Sequence, residues 1–310
     1  MGIPVVMVRG VLESGKTYFI KDALLRGDFG KLPKLLIISQ EEGVEEYDDE
    51  FLKKVNASAV CVEKENWKPE YIHELVRTYK PHVIFVECNE MWGQKDLYYP
   101  EYFDVEQVMG IIDGETFSYY LNALRQTFVD MLKECEVVII NRASPTAETS
   151  QMKKNVKLIN NKVSILALDH NGNKLSLESD LPYDVNAPVI SVSLQHFGDF
   201  YLDTLENKER YNGKAVEFEC QAFFSRKLPP KTFVAGRLAM TCCADDIELL
   251  GHLASYSQKI SILNESWVKV KAVIHYTKFR GAPNEQVILD VISVTPTPAK
   301  SQEEGLLILK

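Results

Sequence analysis

No run of apolar residues in this 310-residue chain approaches the roughly 18 that a membrane-spanning helix needs, and the longest, LLII and VVII, have the length of strands. The sequence reads as a chain that is not membrane-embedded. It also lacks an excess of positive charge: 35 Lys and Arg stand against 44 Asp and Glu, for a net charge of −9. This net charge argues against a nonspecific grip on nucleic acid or on an anionic bilayer, because both would be repelled at long range, and leaves room only for a local basic patch. Cysteine is sparse, with six residues at positions 61, 88, 135, 220, 242 and 243 and no disulfide-framework spacing, which points to reduced thiols. The opening MGIPVVMVRG has no basic segment of the kind that begins a secretory signal, so a cytoplasmic location is expected. His73, His82, His170, His196 and His275 show no metal-ligand spacing, and there is no internal repeat.

What is present is an ordinary globular composition, 45% apolar and 25% charged, in a chain long enough for two domains. Through the first 170 residues, apolar runs (VVMVR, KLLIIS, SAVCVE, HVIFVEC, VMGIID, CEVVIIN, VSILALD) alternate with helical segments such as Lys16–Arg26, Pro69–Tyr79, Glu115–Glu134 and Thr146–Asn160. Continuous apolar strands separated by amphipathic helices predict an α/β domain with a mainly parallel sheet covered on both faces. Residues 171–188 are polar and turn-rich and read as a linker. From 189 to 296 the segments are strand-like, and the period-two alternation of WVKVKAVIHY and KAVEFECQAF predicts a small, mostly antiparallel β domain, an OB-like barrel among the options. Residues 297–310 read as a loose tail.

The stretch VVMVRGVLESGKTYF carries the chemistry. A buried strand leads into Gly10-Val-Leu-Glu-Ser-Gly-Lys-Thr17 and then into a helix, the context a P-loop requires. Glycines let successive backbone N–H groups face phosphate at a helix N-terminus, a lysine adds charge, and a hydroxyl holds magnesium. Those roles fall to Gly10, Glu13, Ser14, Gly15, Lys16 and Thr17. Glu87, ending HVIFVE, supplies a second carboxylate for the magnesium ion, and Asn141-Arg142-Ala143-Ser144, ending VVIINRAS, is the candidate base-binding segment.

The order GVLESGKT, an acidic EEG segment, VIFVEC, Asp113 before a helix containing Gln126, and VVIINRAS resembles the CobW-like GTPases, a metallochaperone group that includes nickel-insertion GTPases. The likeness spans roughly residues 3 to 168. It implies hydrolysis of GTP with Mg2+, coupled to delivering or sensing a metal such as zinc, with Lys16, Thr17 and Glu87 as catalytic residues. Glu42 and Gly43 fall where this family has its nucleotide-responsive segment, which makes Glu42 a candidate cation ligand. Three positions depart from the pattern. Ser144 replaces the aspartate that pairs with guanine, so discrimination between GTP and ATP is expected to weaken. Cys61 stands alone where the family has three thiols, and reads more readily as a small core residue. Glu90 replaces a glycine.

In the second half, RLAMTCCADDIE, with YNGKAVEFECQAFF upstream and WVKVKAVI downstream, resembles the small β-domain of YcgQ-type permease subunits over roughly residues 189 to 296. This implies a metal-transport or permease partner. Cys242 and Cys243 leave two readings open: thiolate ligands for zinc, with Cys220, His252, Asp245 and Asp246 as helpers, or a compact turn. Adjacent side chains on a strand point to opposite faces, so the first needs the strand to end or bulge there. For the whole chain, a nucleotide-binding regulatory or assembly protein without turnover is the alternative to an NTPase.

Overall fold

A five-residue strand with no polar face, such as Leu35–Ser39, must be covered on both sides. The computed structural model, which describes residues 2–27, 34–176, 181–240, 247–258, 261–279 and 284–308, shows how. The chain divides into two compact units, Met1–Leu177 and Glu178–Lys310.

The first unit carries β1 (Ile3–Arg9), α1 (Lys16–Arg26), β2 (Leu35–Ser39), α2 (Asp49–Lys54), β3 (Ala57–Cys61), α3 (Pro69–Tyr79) and β4 (Val83–Glu87). There follow β5 (Phe103–Asp113), α4 (Phe117–Ala123), α5 (Arg125–Glu134), β6 (Val137–Asn141), α6 (Ala147–Ile159), β7 (Ser164–Leu168) and β8 (Lys174–Leu175). The strands form one sheet in the order β3-β2-β4-β1-β5-β6-β7-β8. All neighbours are parallel except β7 and the short β8, which lies within the stretch read as linker. Alternate residues of one strand feed opposite cores. Leu36 and Ile38 pack with Trp67, Ile72 and Leu75 on one face, and Leu35 and Ile37 with Ile20, Leu24 and Phe51 on the other. The mainly parallel α/β expectation holds. The single helix expected over 115–134 is two, α4 and α5, which meet at Leu124 in a non-helical conformation (φ −128°, ψ 39°).

The second unit begins with β9 (Ile190–Val192) and α7 (Phe197–Glu206), a helix that the strand-like reading of this half omits, then α8 (Lys208–Tyr211). It continues with β10 (Ala215–Phe223), β11 (Thr232–Met240), β12 (Ile247–Ser255), β13 (Ser266–Thr277), β14 (Gln286–Pro296), α9 (Gln302–Gly305) and β15 (Leu307–Ile308). Pairings run β10-β11-β12-β14-β13 and back to β10, closing a five-stranded OB-like barrel whose single parallel contact within the ring is β12 with β14. The alternation of buried and half-buried residues along β10 follows from one face lining this barrel. α7 packs Phe197 and Phe200 against Phe218 of β10, and its Thr204 hydroxyl lies 2.9 Å from Nε2 of His252 on β12. Burial pushes the His252 imidazole down to about 3.

The tail is not loose. Leu307 and Ile308 pair in parallel with Ala239 and Met240, and the Glu304 carbonyl accepts a hydrogen bond from Arg237, a buried guanidinium that also lies over the Trp267 ring. Arg237 donates to the Leu194 carbonyl as well. β10 pairs with β11 only as far as Gly236, so the flank beyond it carries unpaired backbone groups that the tail satisfies. Among the described residues, no helix is long and apolar enough to cross a membrane. Cys242, Cys243, Asp245 and Asp246 lie outside the described residues.

Candidate nucleotide-binding site

The strand order of the first unit reverses at β1, which lies between β4 and β5. In open α/β sheets, ligands bind in the crevice outside the carboxyl ends of the strands at such a switch point. The Gly10–Gly15 loop leaves β1 at that end. Gly10 is required by close approach, since a Cβ there would lie 2.6 Å from the Ile111 carbonyl oxygen and 2.6 Å from Ser14 Oγ. Gly15 adopts a left-handed φ of 99°, and a Cβ on it would lie 2.4 Å from Asn141 Nδ2. Glu13 also has positive φ, 61°, a conformation uncommon for a residue with a side chain. The helix α1 that follows has no acidic residue in its first turn, so the partial positive charge of its N-terminus is left for an anion.

A cavity of about 320 Å³ opens over this helix start, and Glu13, Gly15, Lys16, Thr17, Glu87, Asn141 and Arg142 all line it. The structure thereby brings together, from three separate segments, seven of the residues proposed from the sequence. Thr17 Oγ1 donates to Glu87 Oε1 at 2.6 Å, so the hydroxyl and carboxylate proposed for magnesium are adjacent. Asn141 donates through Nδ2 to the Ser14 carbonyl at 3.3 Å, and Arg142 through Nη2 to the Glu13 carbonyl at 2.6 Å and to Asp113 at 2.8 Å. The end of β6 is thus tied across the phosphate loop. Burial opposes ionisation of Asp113, but the bonds from Arg142 and the Glu115 amide outweigh it and hold the carboxyl below its ordinary range.

Other residues proposed from the sequence lie outside the cavity lining. Gly10 and Ser14 are buried within the loop itself, with the Ser14 hydroxyl finding no partner among the described residues. Glu42 is exposed and outside the cavity lining; the carboxylate of the acidic segment that enters is its neighbour Glu41, which pairs with Lys16. Ser144 is exposed and outside the lining too, its carbonyl capping the start of α6 through Thr146 N and Thr149 Oγ1. Cys61 is an exposed residue rather than a core one, and burial of part of its side chain, with Glu42, Glu87 and Glu63 nearby, raises its thiol pKa. Glu90 turns away from the cavity onto Arg9. Among the described residues, no group of three or more His, Cys, Asp or Glu stands close enough to hold a metal ion on its own.

Sequence reasoning missed Glu41, Tyr47 and His170. Tyr47 donates to Glu87 Oε2 at 2.7 Å, and burial together with the Glu87 charge pushes its hydroxyl pKa up. His170 lines the cavity with its imidazole 3.4 Å from Glu115. Glu41 stood next to the residue selected, in a run of acids where sequence alone gives no reason to prefer one.

Residues 4–167 match the profile of the CobW/HypB/UreG nucleotide-binding domain, and residues 168–303 that of the DUF1980 C-terminal domain. No curated protein matches the chain. Among solved structures, it is similar to the hydrogenase maturation factor HypB from Archaeoglobus fulgidus at 16% identity, covering 67% of this chain and 90% of that one with a TM-score of 0.37. It is similar to a zinc-bound triple mutant of the YjiA GTPase at 11% identity, covering 81% and 89% with a TM-score of 0.41. A third is nickel-bound HypB from Helicobacter pylori, at 12% identity, 55% and 80% coverage and a TM-score of 0.36.

Proposed function

This chain belongs to the CobW/HypB/UreG family, and on that premise we propose that it is a nucleoside triphosphatase, using GTP with Mg2+, whose hydrolysis cycle serves metal homeostasis. The observation that carries the reading is the pair Thr17 and Glu87, held 2.6 Å apart beneath the start of a helix whose first turn carries no acid. An oxygen-only donor pair of this kind suits a hard divalent cation. Bound magnesium would draw charge from the phosphate oxygens as the terminal phosphoryl group leaves. The chain's own part is to cradle the phosphates with the backbone of Gly10–Lys16, to add the Lys16 charge, and to fix Thr17 through Glu87.

Base selection is proposed to be weak. Ser144 lies outside the cavity lining and carries no carboxylate, which leaves Asn141, Arg142 and His170 as the residues proposed to face the base. The barrel unit is proposed to engage a metal-transport or permease partner, on the resemblance read from the sequence around RLAMTCCADDIE alone, with Cys242 and Cys243 as candidate zinc thiolates and the chain acting in the cytoplasm. A second reading, nucleotide binding without turnover, is favoured by Glu90, whose pairing with Arg9 fixes the loop after β4.

Calorimetry with the magnesium complex of GTP tests the first claim: Lys16→Ala should abolish binding, because no other lysine among the described residues lines the cavity. Unchanged affinity would refute the cradle. Steady-state phosphate release, with and without zinc, then separates turnover from binding alone.

A further inference from the structure

A lysine buried as deeply as Lys16, 1% exposed at its side chain, needs an anion. Here the anion is internal. Lys16 Nζ donates to the carbonyls of Gly10 at 3.1 Å and Val11 at 2.8 Å, and pairs with Glu41 Oε1. We propose that Glu41 is a resident competitor of the nucleotide: its carboxylate holds Lys16 when no nucleotide is bound, and a polyphosphate binds by displacing it, which frees residues 41–48 from the phosphate loop. The inference rests on the reading of Gly10–Thr17 as a nucleotide site and adds how that site is filled and emptied.

Glu41 is poorly satisfied where it lies. Its second oxygen, Oε2, is buried and has no partner among the described residues. Glu87 and Glu13 stand close enough to repel it, and among the described residues Lys16 is the cation that attracts it. A terminal phosphate carries more charge and more oxygens, and it meets the backbone N–H groups of the α1 start as well as the lysine. The exchange therefore replaces a carboxylate with one unpaired oxygen by a group that can use every donor in the cradle.

The rest of the segment is fastened to the same machinery. Tyr47 occupies the Glu87 oxygen that Thr17 leaves, so a cation taking up Glu87 competes with the tyrosine. The Val44 amide donates to Glu13 Oε1 at 3.3 Å, and Lys21 on α1 pairs with Glu45 and, at 3.5 Å, with Asp48. Lys16, Glu13 and Glu87, which the nucleotide and its cation would recruit, are thus each already in contact with residues 41–48. A lysine of this kind reaches the β- and γ-phosphates, so a monophosphate leaves Glu41 in place and a triphosphate does not.

The test is calorimetry of full-length protein with GMP and with a nonhydrolysable GTP analogue, both with magnesium, on the wild type, Glu41→Gln and Glu50→Gln. Glu50 is exposed on α2 and gives the same change in net charge. Glu41→Gln should tighten binding of the triphosphate roughly tenfold, leave the monophosphate unchanged, and find no parallel in Glu50→Gln. Without nucleotide, amides 43–48 should exchange with solvent faster in Glu41→Gln than in the wild type. Triphosphate affinity that is unchanged or weaker in Glu41→Gln, in a protein that binds it, overturns the competitor role alone. Absence of triphosphate binding in all three proteins overturns the nucleotide reading and this inference with it.

Discussion

Replacing Glu90 should loosen the strands that carry the phosphate loop, and the size of the effect can be worked from the structure. Arg9 ends β1 immediately before Gly10. Its guanidinium donates from Nε to Glu90 Oε1 and from Nη2 to Glu90 Oε2, each at 2.8 Å, and both side chains are 3% exposed. The pair is bidentate and dry, the geometry in which loss of one partner leaves an uncompensated charge at a cost of roughly 3–5 kcal/mol. Glu134, the other carboxylate on Arg9, is 45% exposed and remains after the change, so solvent-screened compensation lowers the expected loss in Glu90→Gln to about 2–4 kcal/mol. With two units in one chain, a single unfolding midpoint would mix their transitions, so the assay is amide hydrogen exchange resolved by segment. Peptides covering Ile3–Arg9 and Val83–Glu87 should lose protection by roughly 30- to 1000-fold, while those covering β10 to β14 stay unchanged. The double variant Arg9→Met, Glu90→Leu should recover most of the protection, because apolar residues of similar volume remove the unpaired charge. Protection in Glu90→Gln within about threefold of the wild type would refute the reasoning, since it would mean that Arg9 reaches water or another anion.

Three further outcomes are expected. Ser144→Asp should alter the ratio of GTP to ATP affinity by less than roughly threefold, because position 144 lies outside the cavity; a larger rise in competition binding would show that the loop folds inward around a base. His252 is held at about 3 by burial, against about 6.5 when unfolded, so the unfolded chain binds the extra proton first. The His252 contribution to the stability of the barrel is therefore full above about pH 6.5 and falls steadily toward pH 3, by roughly 3 kcal/mol at pH 4.5, and amide protection factors in β10 to β14 of the wild type should show this slope while those of His252→Phe should not. Removing residues 301–310 should cost the barrel about 1–3 kcal/mol, as Arg237 loses the Glu304 carbonyl, and should shift Trp267 fluorescence toward the red; an unchanged spectrum and unchanged amide protection in β11 would show the tail to be dispensable.

The parallel sheet was legible because its information is local: runs such as LLII and VVII have no polar face, and GVLESGKT sits between a strand and a helix. Seven of the proposed site residues meet in one cavity for the same reason, since each lies at or just beyond the carboxyl end of a strand of that sheet or at the start of α1. What escaped depends on contacts between distant positions. Glu90 reads as a lost glycine until Arg9, 81 positions away, is seen to hold it. Glu41 and Glu42 are indistinguishable as letters, and the backbone path alone turns one inward. FGDFYLDTLE combines aromatic residues that favour strands with a helical spacing of buried positions, and the open flank of the barrel decides that the last residues form a strand.

The closure of that barrel has a bearing on how the chain acquires its structure. Four of the five ring contacts join strands in antiparallel fashion, but β12 pairs with β14 in parallel, with β13 between them in sequence, Leu253 meeting Ile288. Adding hairpins one at a time cannot complete the ring. β12 must wait with one edge bare until β13 has crossed and β14 has returned, and the flank of β11 waits longer, until Leu307 and Ile308 arrive. Such non-local pairing slows folding. On a ribosome, the first unit has all its strands in hand while the second still exposes two unfinished edges, so the interval in which this protein is prone to pair with the wrong chain runs until β14 and then Leu307 and Ile308 have emerged.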